Sequence, residues 1–133
     1  GGVVMDIKVG EYMRTKNGLI GKVNKIELKG SGVRFGGEFL TDEIIQFNDG
    51  KIYERRVKDK DITKYSKNII DLIEVGDIVF IQDVLNNDFV YIYDDEMLKA
   101  VREDIEEGLQ ITKILTHQQF EQNCYKTTTK QQT

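Results

Sequence analysis

Apolar and polar residues alternate along most of the chain in short runs that end at turn residues, a pattern typical of β-strands. Residues 6–16 and 19–28 flank Asn17-Gly18, a pair that tolerates the positive φ angles of a two-residue hairpin turn. The pattern also predicts turns at 29–32 and 48–50, an exposed polar segment at 58–67, and further strands at residues 33–40, 43–47, 51–57, 75–84, 89–93 and 109–115.

One long segment has the pattern of a helix instead. Residues 95–107 carry apolar side chains at helical spacing, so one face is apolar and the opposite face is acidic. Asp94 or Asp95 can cap the start of this helix, and Gly108 can end it. The apolar stripe consists of Met97, Leu98, Val101 and Ile105.

Shorter elements are predicted around this helix. Thr116 and Gln119 have the spacing of a capping box, which predicts a helix at residues 117–122. Residues 66–73 fit either a short helical turn or a buried strand, because so short a segment shows no clear period. Cys124-Tyr125 are expected to add an edge strand, and an unpaired edge there is a candidate contact for a homodimer, with the oligomeric state left open.

Together these elements predict an α+β fold that is mainly β: a small barrel or a strongly bent sheet, with helix 95–107 packed on it. The length predicts a single domain over residues 1–125, followed by a disordered polar tail at 126–133. Residues 1–4 resemble a remnant of cloning, which makes Met5 the candidate native start.

Charge is distributed unevenly along the chain. Residues 1–70 have a net charge of +4, residues 71–107 of −10, and residues 108–133 of +2, which gives −4 in total. An acidic surface suits a basic partner, although charged helix faces are often only solvated. The candidate protein-binding residues are Asp94, Asp95, Glu96, Glu103, Asp104, Glu106 and Glu107.

The residues that carry enzyme chemistry are scarce. The chain has a single histidine, His117, and a single cysteine, Cys124, so it forms no internal disulfide. No Cys or His spacing of a metal site is present, and catalytic carboxylates need burial or like-charge crowding, which a solvated helix does not provide. We therefore expect no enzymatic activity and no cofactor. No apolar run is long enough to span a membrane.

Nucleic-acid binding is the main alternative to protein binding. Tyr12, Arg14 and Lys16 share one face of a predicted strand, and Arg34 follows two strands later. Mixed aromatic and basic residues of this kind hold single-stranded nucleic acids. The isoelectric point near 5.1 makes direct nucleic-acid binding the less favoured function.

Val9-Gly10-Glu11 recurs as Val75-Gly76-Asp77, and both stretches precede an apolar run, although so few residues do not establish a repeat. With their neighbours they resemble a family of small uncharacterised proteins from phages, prophages and mobile elements of clostridia and related Firmicutes. The resemblance rests, in order, on VGEYMRTKNGLIGKV, SKNIIDLIEVGDIV and ILTHQQFEQNCYK, roughly a third of the chain. The first stretch also resembles the KOW-type opening of a Src-homology-3-like barrel.

No established activity comes with this family, so it assigns no functional residue. The resemblance implies a non-enzymatic phage accessory protein, cytoplasmic in an infected or lysogenic bacterium, that binds a host protein. Such proteins often act by binding host proteins, including CRISPR and restriction nucleases, and an acidic surface can occupy and so inhibit a basic nucleic-acid channel. A structural or virion-associated protein is a further alternative.

Overall fold

The computed structural model describes residues 6–35, 38–51 and 53–127. The chain divides into two compact units, unit 1 at residues 1–72 and unit 2 at residues 73–133. The predicted cloning remnant and most of the predicted tail lie outside the described residues. Two compact units can belong to one domain, so the single domain predicted over residues 1–125 stays a prediction.

Unit 1 is an antiparallel five-stranded sheet in the order β4-β3-β2-β1-β5. Short 3-10 turns at Asp59–Asp61 and Ile69–Leu72 precede and follow the last strand. The order is open at both ends, so the described residues form no closed barrel. The strands are β1 (Tyr12–Thr15), β2 (Ile20–Phe35), β3 (Glu38–Asn48), β4 (Glu54–Lys58) and β5 (Ile62–Ser66).

The hairpin predicted at Asn17-Gly18 is confirmed, but its turn is one residue longer. Gly18 has a φ of 85°, and Asn17 is not among the described non-glycine residues with positive φ. The backbone N–H of Gly18 donates to the carbonyl of Thr15 at 3.0 Å, and Thr15 pairs with Leu19 at 2.9 Å. Lys16, Asn17 and Gly18 therefore form a three-residue loop in which only the glycine needs the left-handed conformation.

One other prediction for unit 1 is wrong, and one is incomplete. The turn expected at 29–32 is absent, because β2 continues to Phe35 and absorbs the extra residues as a register shift between Gly30 and Arg34. The polar segment at 58–67 contains β5, which pairs with β1. Ile62 is the only fully apolar side chain that β5 buries, so the sequence has almost no strand signal there.

Residues 66–73 form the helical turn, which settles the alternative left by the sequence. Ser66 Oγ accepts a hydrogen bond from the backbone N–H of Asn68 at 3.1 Å, ahead of the 3-10 turn Ile69–Leu72. The core of unit 1 lies on one face of the sheet. Its buried residues are Ile7, Met13, Val23, Ile45, Phe47 and Ile62.

Unit 2 is a smaller antiparallel sheet in the order β7-β6-β8, and it contains both helices. The two predicted helices are confirmed to within two residues, but the expected edge strand at Cys124-Tyr125 is absent. Because the two sheets contain most of the regular structure, the fold is mainly β, as predicted. The elements are β6 (Ile78–Gln82), β7 (Asp88–Ile92), α1 (Met97–Glu106), β8 (Gln110–Leu115) and α2 (His117–Asn123).

Both units begin with the same turn. Gly10 has a φ of 95° and Gly76 a φ of 94°. The backbone N–H groups of Glu11 and Asp77 each donate to the carbonyl three residues earlier at 3.1 Å. Each acidic side chain also accepts from the backbone N–H of that earlier residue, at 2.7 Å in unit 1 and 2.8 Å in unit 2. The Val-Gly-acid stretch is one turn that the chain uses twice.

The resemblance between the units extends through three strands. In unit 1, β1 lies between β2 and β5, and its pairing with β5 shifts register after Arg14. In unit 2, β6 lies between β7 and β8, and its pairing with β8 shifts register after Phe80. At each shift a threonine hydroxyl donates to the central carbonyl, Thr63 to Arg14 at 3.3 Å and Thr112 to Phe80 at 3.2 Å. The triplet β2-β1-β5 in unit 1 therefore has the design of β7-β6-β8 in unit 2.

Candidate binding surface

The acidic residues predicted to bind protein lie on and just before α1. Glu103, Glu106 and Glu107 are exposed, and Asp104 is half-buried. The opposite side of α1 carries Val101, which is almost completely buried. The apolar stripe thus fixes these carboxylates on the solvent side of α1.

The three acidic residues before α1 are also exposed, and one of them has a structural role. Asp94 Oδ1 accepts a hydrogen bond from the backbone N–H of Met97, the first residue of α1, at 2.8 Å. Asp94 therefore holds the start of the helix, as predicted for one of the two candidate caps. Asp95 and Glu96 extend the acidic surface of α1 toward the end of β7.

Strand β7 exposes apolar side chains on both of its faces. Phe89 is 40% exposed, Val90 57% and Ile92 71%. Strand β7 pairs with β6 on one side and lies at the edge of the sheet among the described residues. An exposed apolar edge strand is a feature that soluble proteins normally blunt with charges. The edge strand β4 of unit 1 follows that rule, since its sequence is Glu-Arg-Arg-Val-Lys.

The turn between β6 and β7 exposes two further apolar residues, Val84 and Leu85. Asp83 fixes this turn, because its Oδ1 accepts from the backbone N–H groups of Leu85 and Asn87 at 2.9 and 2.8 Å. These hydrogen bonds, led by the one from Asn87, lower the pKa of Asp83. The turn is therefore held in one conformation with its apolar side chains directed to solvent.

The residues predicted to bind nucleic acid do not form one accessible face. The side chain of Arg14 is completely buried, and its Nη1 donates to the carbonyl oxygen of Leu72 at 2.9 Å. Lys16 lies 3.8 Å from a carboxylate oxygen of Asp61. Tyr12 is half-buried, with the ammonium of Lys22 5.8 Å from its ring centre. Arg34 lies on β2, and its side chain is outside the described residues.

The single histidine takes part in structure. His117 Nε2 lies 2.9 Å from Glu74 Oε1, and its backbone N–H donates to the buried carboxylate of Asp77 at 2.9 Å. Asp77 thereby ties the turn before β6 to the start of α2. Cys124 is half-buried, and its thiol contacts the carbonyl of Glu121 at 3.7 Å. In the described parts of the chain, no three His, Cys, Asp or Glu side chains are grouped as a metal site requires.

Sequence reasoning found the acidic residues but missed the apolar edge beside them. The signal was present, since residues 89–93 are apolar or aromatic at every position instead of alternating. Such a run is typical of a strand that is buried on both faces. In the structure the run lies on an edge strand, and its side chains are partly exposed. Only the order of the strands distinguishes these two situations.

Comparison of the chain with protein-family models, with curated proteins and with solved structures found no match. The resemblance to phage and mobile-element proteins therefore stays a prediction. No helix in the described residues is both long and apolar enough to cross a membrane.

Proposed function

We propose that the protein is a non-enzymatic, phage-encoded accessory protein that binds a host protein through the acidic surface of unit 2. The favoured class of partner is a basic, nucleic-acid-binding effector such as a defence nuclease. The phage context comes from the sequence resemblance, and the surface comes from the structure. The observation that carries the proposal is the separation of charge between the two units.

The change in charge coincides with the boundary between the units. Residues 1–72 contain 14 Lys and Arg against 11 Asp and Glu, which gives +3. Residues 73–133 contain 5 Lys and Arg against 12 Asp and Glu, which gives −7. A field of one sign on one folded unit steers association with an oppositely charged partner. It also raises the rate of encounter more than it raises the final affinity.

The acidic residues on α1 are better placed to bind a basic partner protein than to stabilise the fold. Glu103, Glu106 and Glu107 are exposed, while Val101 on the opposite side of α1 is buried. Neutralising them therefore removes charge without opening the core. A channel that attracts polyanions attracts such a surface for the same reason.

The experiment is affinity purification from an extract of the infected host with the tagged protein as bait. The test variant combines Glu103→Gln, Asp104→Asn, Glu106→Gln and Glu107→Gln. A host protein that the wild type retains and the variant loses supports the proposal. Equal recovery by both proteins contradicts it.

A control variant of equal charge change separates the acidic surface of α1 from net charge. It combines Asp6→Asn, Glu27→Gln, Glu54→Gln and Asp61→Asn in unit 1. The control is expected to retain the partner. Loss of the partner in both variants would show that total charge, and not this surface, controls binding. Recovery of virion components alone would favour the structural alternative and contradict the proposal.

A further inference from the structure

Edge strand β7 has the features of an acceptor for an additional strand. Pairing of β6 with β7 runs without a register shift from Ile78 and Ile92 to Gln82 and Asp88. The backbone of β7 is therefore regular along its whole length. Its outer side is unpaired among the described residues, since the sheet order is β7-β6-β8.

The pairing also identifies the backbone groups that face outward. Just beyond the two ends of β7, the N–H of Tyr93 donates to Asp77 at 2.8 Å, and the carbonyl of Asn87 accepts from Asp83 at 3.0 Å. Hydrogen-bonded pairs alternate along an antiparallel ladder, so every second residue between these ends faces β6. Asp88, Val90 and Ile92 consequently direct their N–H and C=O groups to the open side.

The corresponding edge in unit 1 is paired only at its far end. Tyr12 pairs with Lys22 in unit 1 as Ile78 pairs with Ile92 in unit 2, so Lys22 and Ile92 occupy equivalent positions. From Lys22 onward the outer side of β2 is paired with β3 in the antiparallel direction. The strand pairing of unit 1 therefore overlaps the edge of β7 only at the position of Ile92, because Ile20, the equivalent of Val90, precedes the pairing with β3.

The charges around β7 select the chemistry of the added strand. Asp88 lies at the start of β7, and Asp94 and Asp95 follow its end. A second copy of the acidic unit 2 would bring like charges together at this edge. A segment with lysine or arginine beside apolar residues would pair with both the carboxylates and the exposed Val90 and Ile92.

We propose that the outer edge of β7 binds an extended basic segment of the partner protein as an additional antiparallel strand. The proposal rests on the function proposed above and specifies how that partner is held. Main-chain hydrogen bonds to Asp88, Val90 and Ile92 provide the attachment, and alternate side chains of the partner pack beside Val90 and Ile92. Acidic α1 and the edge of β7 then act together on one partner.

The test uses the full-length protein labelled with ¹⁵N and a short synthetic peptide in which lysine and valine alternate. Amide hydrogen exchange of Asp88, Val90 and Ile92 is expected to be fast without peptide, and about tenfold or more slower when the peptide is bound. Phe89 and Tyr91 are expected to exchange slowly in both states, because their amides face β6. Unchanged exchange at the three outward amides would overturn the proposal.

The sharpest variant is Val90→Pro. Proline removes an N–H that faces outward, so the pairing with β6 is retained, and an edge strand tolerates this substitution. Peptide affinity is expected to fall by about tenfold or more, because the ring and the missing donor block the edge. Unchanged affinity in a folded Val90→Pro protein would contradict strand addition.

A second pair of variants keeps the test valid if proline disturbs the fold. Val90→Lys places a positive charge on the edge, whereas Val75→Lys makes the same change in the turn before β6. Val75 is 55% exposed, close to the 57% of Val90, so the two substitutions are matched. Only Val90→Lys is expected to weaken the peptide. An equal effect of both would overturn the assignment to β7.

Two further outcomes separate this proposal from the function on which it rests. Slowed exchange at the same amides that depends on protein concentration and needs no peptide would show a homodimer at β7, and would overturn the proposal. Peptide binding that Val90→Pro leaves intact, and that the four substitutions in α1 abolish, would also overturn it. That last result would leave the acidic surface as the binding site and the proposed function standing.

Discussion

The completely buried guanidinium of Arg14 donates a hydrogen bond from Nη1 to the carbonyl oxygen of Leu72, 2.9 Å away. This contact joins β1, which lies between β2 and β5, to Leu72, the last residue of the 3-10 turn that ends unit 1. Arg14 therefore lies in the interior of unit 1, although its neighbours in sequence suggest a surface that binds the phosphates of a nucleic acid.

Arg14→Met is predicted to destabilise the protein by about 1–3 kcal/mol, because the carbonyl of Leu72 loses its charged donor inside the fold. Urea denaturation followed by circular dichroism measures the change. Lys16→Ala is the control. Lys16 lies in the turn directly after β1, it is exposed, and its ion pair with Asp61 contributes little. Equal stability of the wild type and Arg14→Met would contradict the assignment of Arg14 to the core.

Direct nucleic-acid binding is predicted to be weak. A gel shift with single-stranded DNA at low salt should show no discrete complex, because Arg14 is buried and the whole chain is acidic. Among the residues predicted to bind nucleic acid, Tyr12 remains partly accessible, with Lys22 beside its ring. A complex that Lys22→Ala removes would contradict this prediction and restore the alternative function.

The two copies of the Val-Gly-acid turn are predicted to differ in their importance. Asp77→Ala should destabilise the protein by about 2–4 kcal/mol, because the backbone N–H groups of Glu74 and His117 both lose their acceptor. Glu11→Ala removes one exposed hydrogen bond and should cost less than about 1 kcal/mol. Thermal unfolding of the two variants side by side gives the comparison. Equal losses would show that the tie to α2 contributes nothing.

Asp49 gives a prediction for how the stability of the protein depends on pH. Its carboxylate accepts from Arg55 at 2.6 Å and is 5% exposed, and this hydrogen bond is the main reason that the pKa of Asp49 is lowered. A lowered pKa contributes stability above the ordinary value of about 3.9, and that contribution is lost as the pH falls through the lower value in the folded state.

Asp49→Asn is therefore predicted to lower stability at neutral pH by less than about 1 kcal/mol, since Arg55 is largely solvated. The difference from the wild type should shrink as the pH falls below the ordinary value of about 3.9, and vanish once the pH is below the lowered pKa of Asp49 in the folded state. Urea denaturation at a series of pH values measures this. A difference that persists or grows in acid would contradict the cause given for the shift.

Local signals predicted both helices and the hairpin at Gly18 well. Thr116 accepts from the backbone N–H of Gln119 at 3.3 Å, as the capping box predicts, and the helix begins at His117. Gly18 forms its turn because the left-handed conformation suits glycine. In these places the chemistry lies within a few residues, so the sequence contains it in full.

Elements that depend on distant partners were less accessible to sequence analysis. Strand β5 is stabilised by pairing with β1 about fifty residues earlier, and its own sequence shows little periodicity. Burial of Arg14 likewise depends on Leu72, which is far away in sequence. The acidic residues of the candidate surface were predictable, whereas the open edge of β7 depends on the order of strands in the sheet.

The most direct test of the binding surface is the affinity of the purified partner, once recovered, for three forms of the protein by isothermal titration calorimetry. Neutralising Glu103, Asp104, Glu106 and Glu107 together should weaken binding by about tenfold or more, and the wild-type affinity should fall as salt is raised. Neutralising four carboxylates in unit 1 should leave the affinity within about twofold of the wild type. Equal affinities for all three forms would contradict binding through the acidic surface of unit 2.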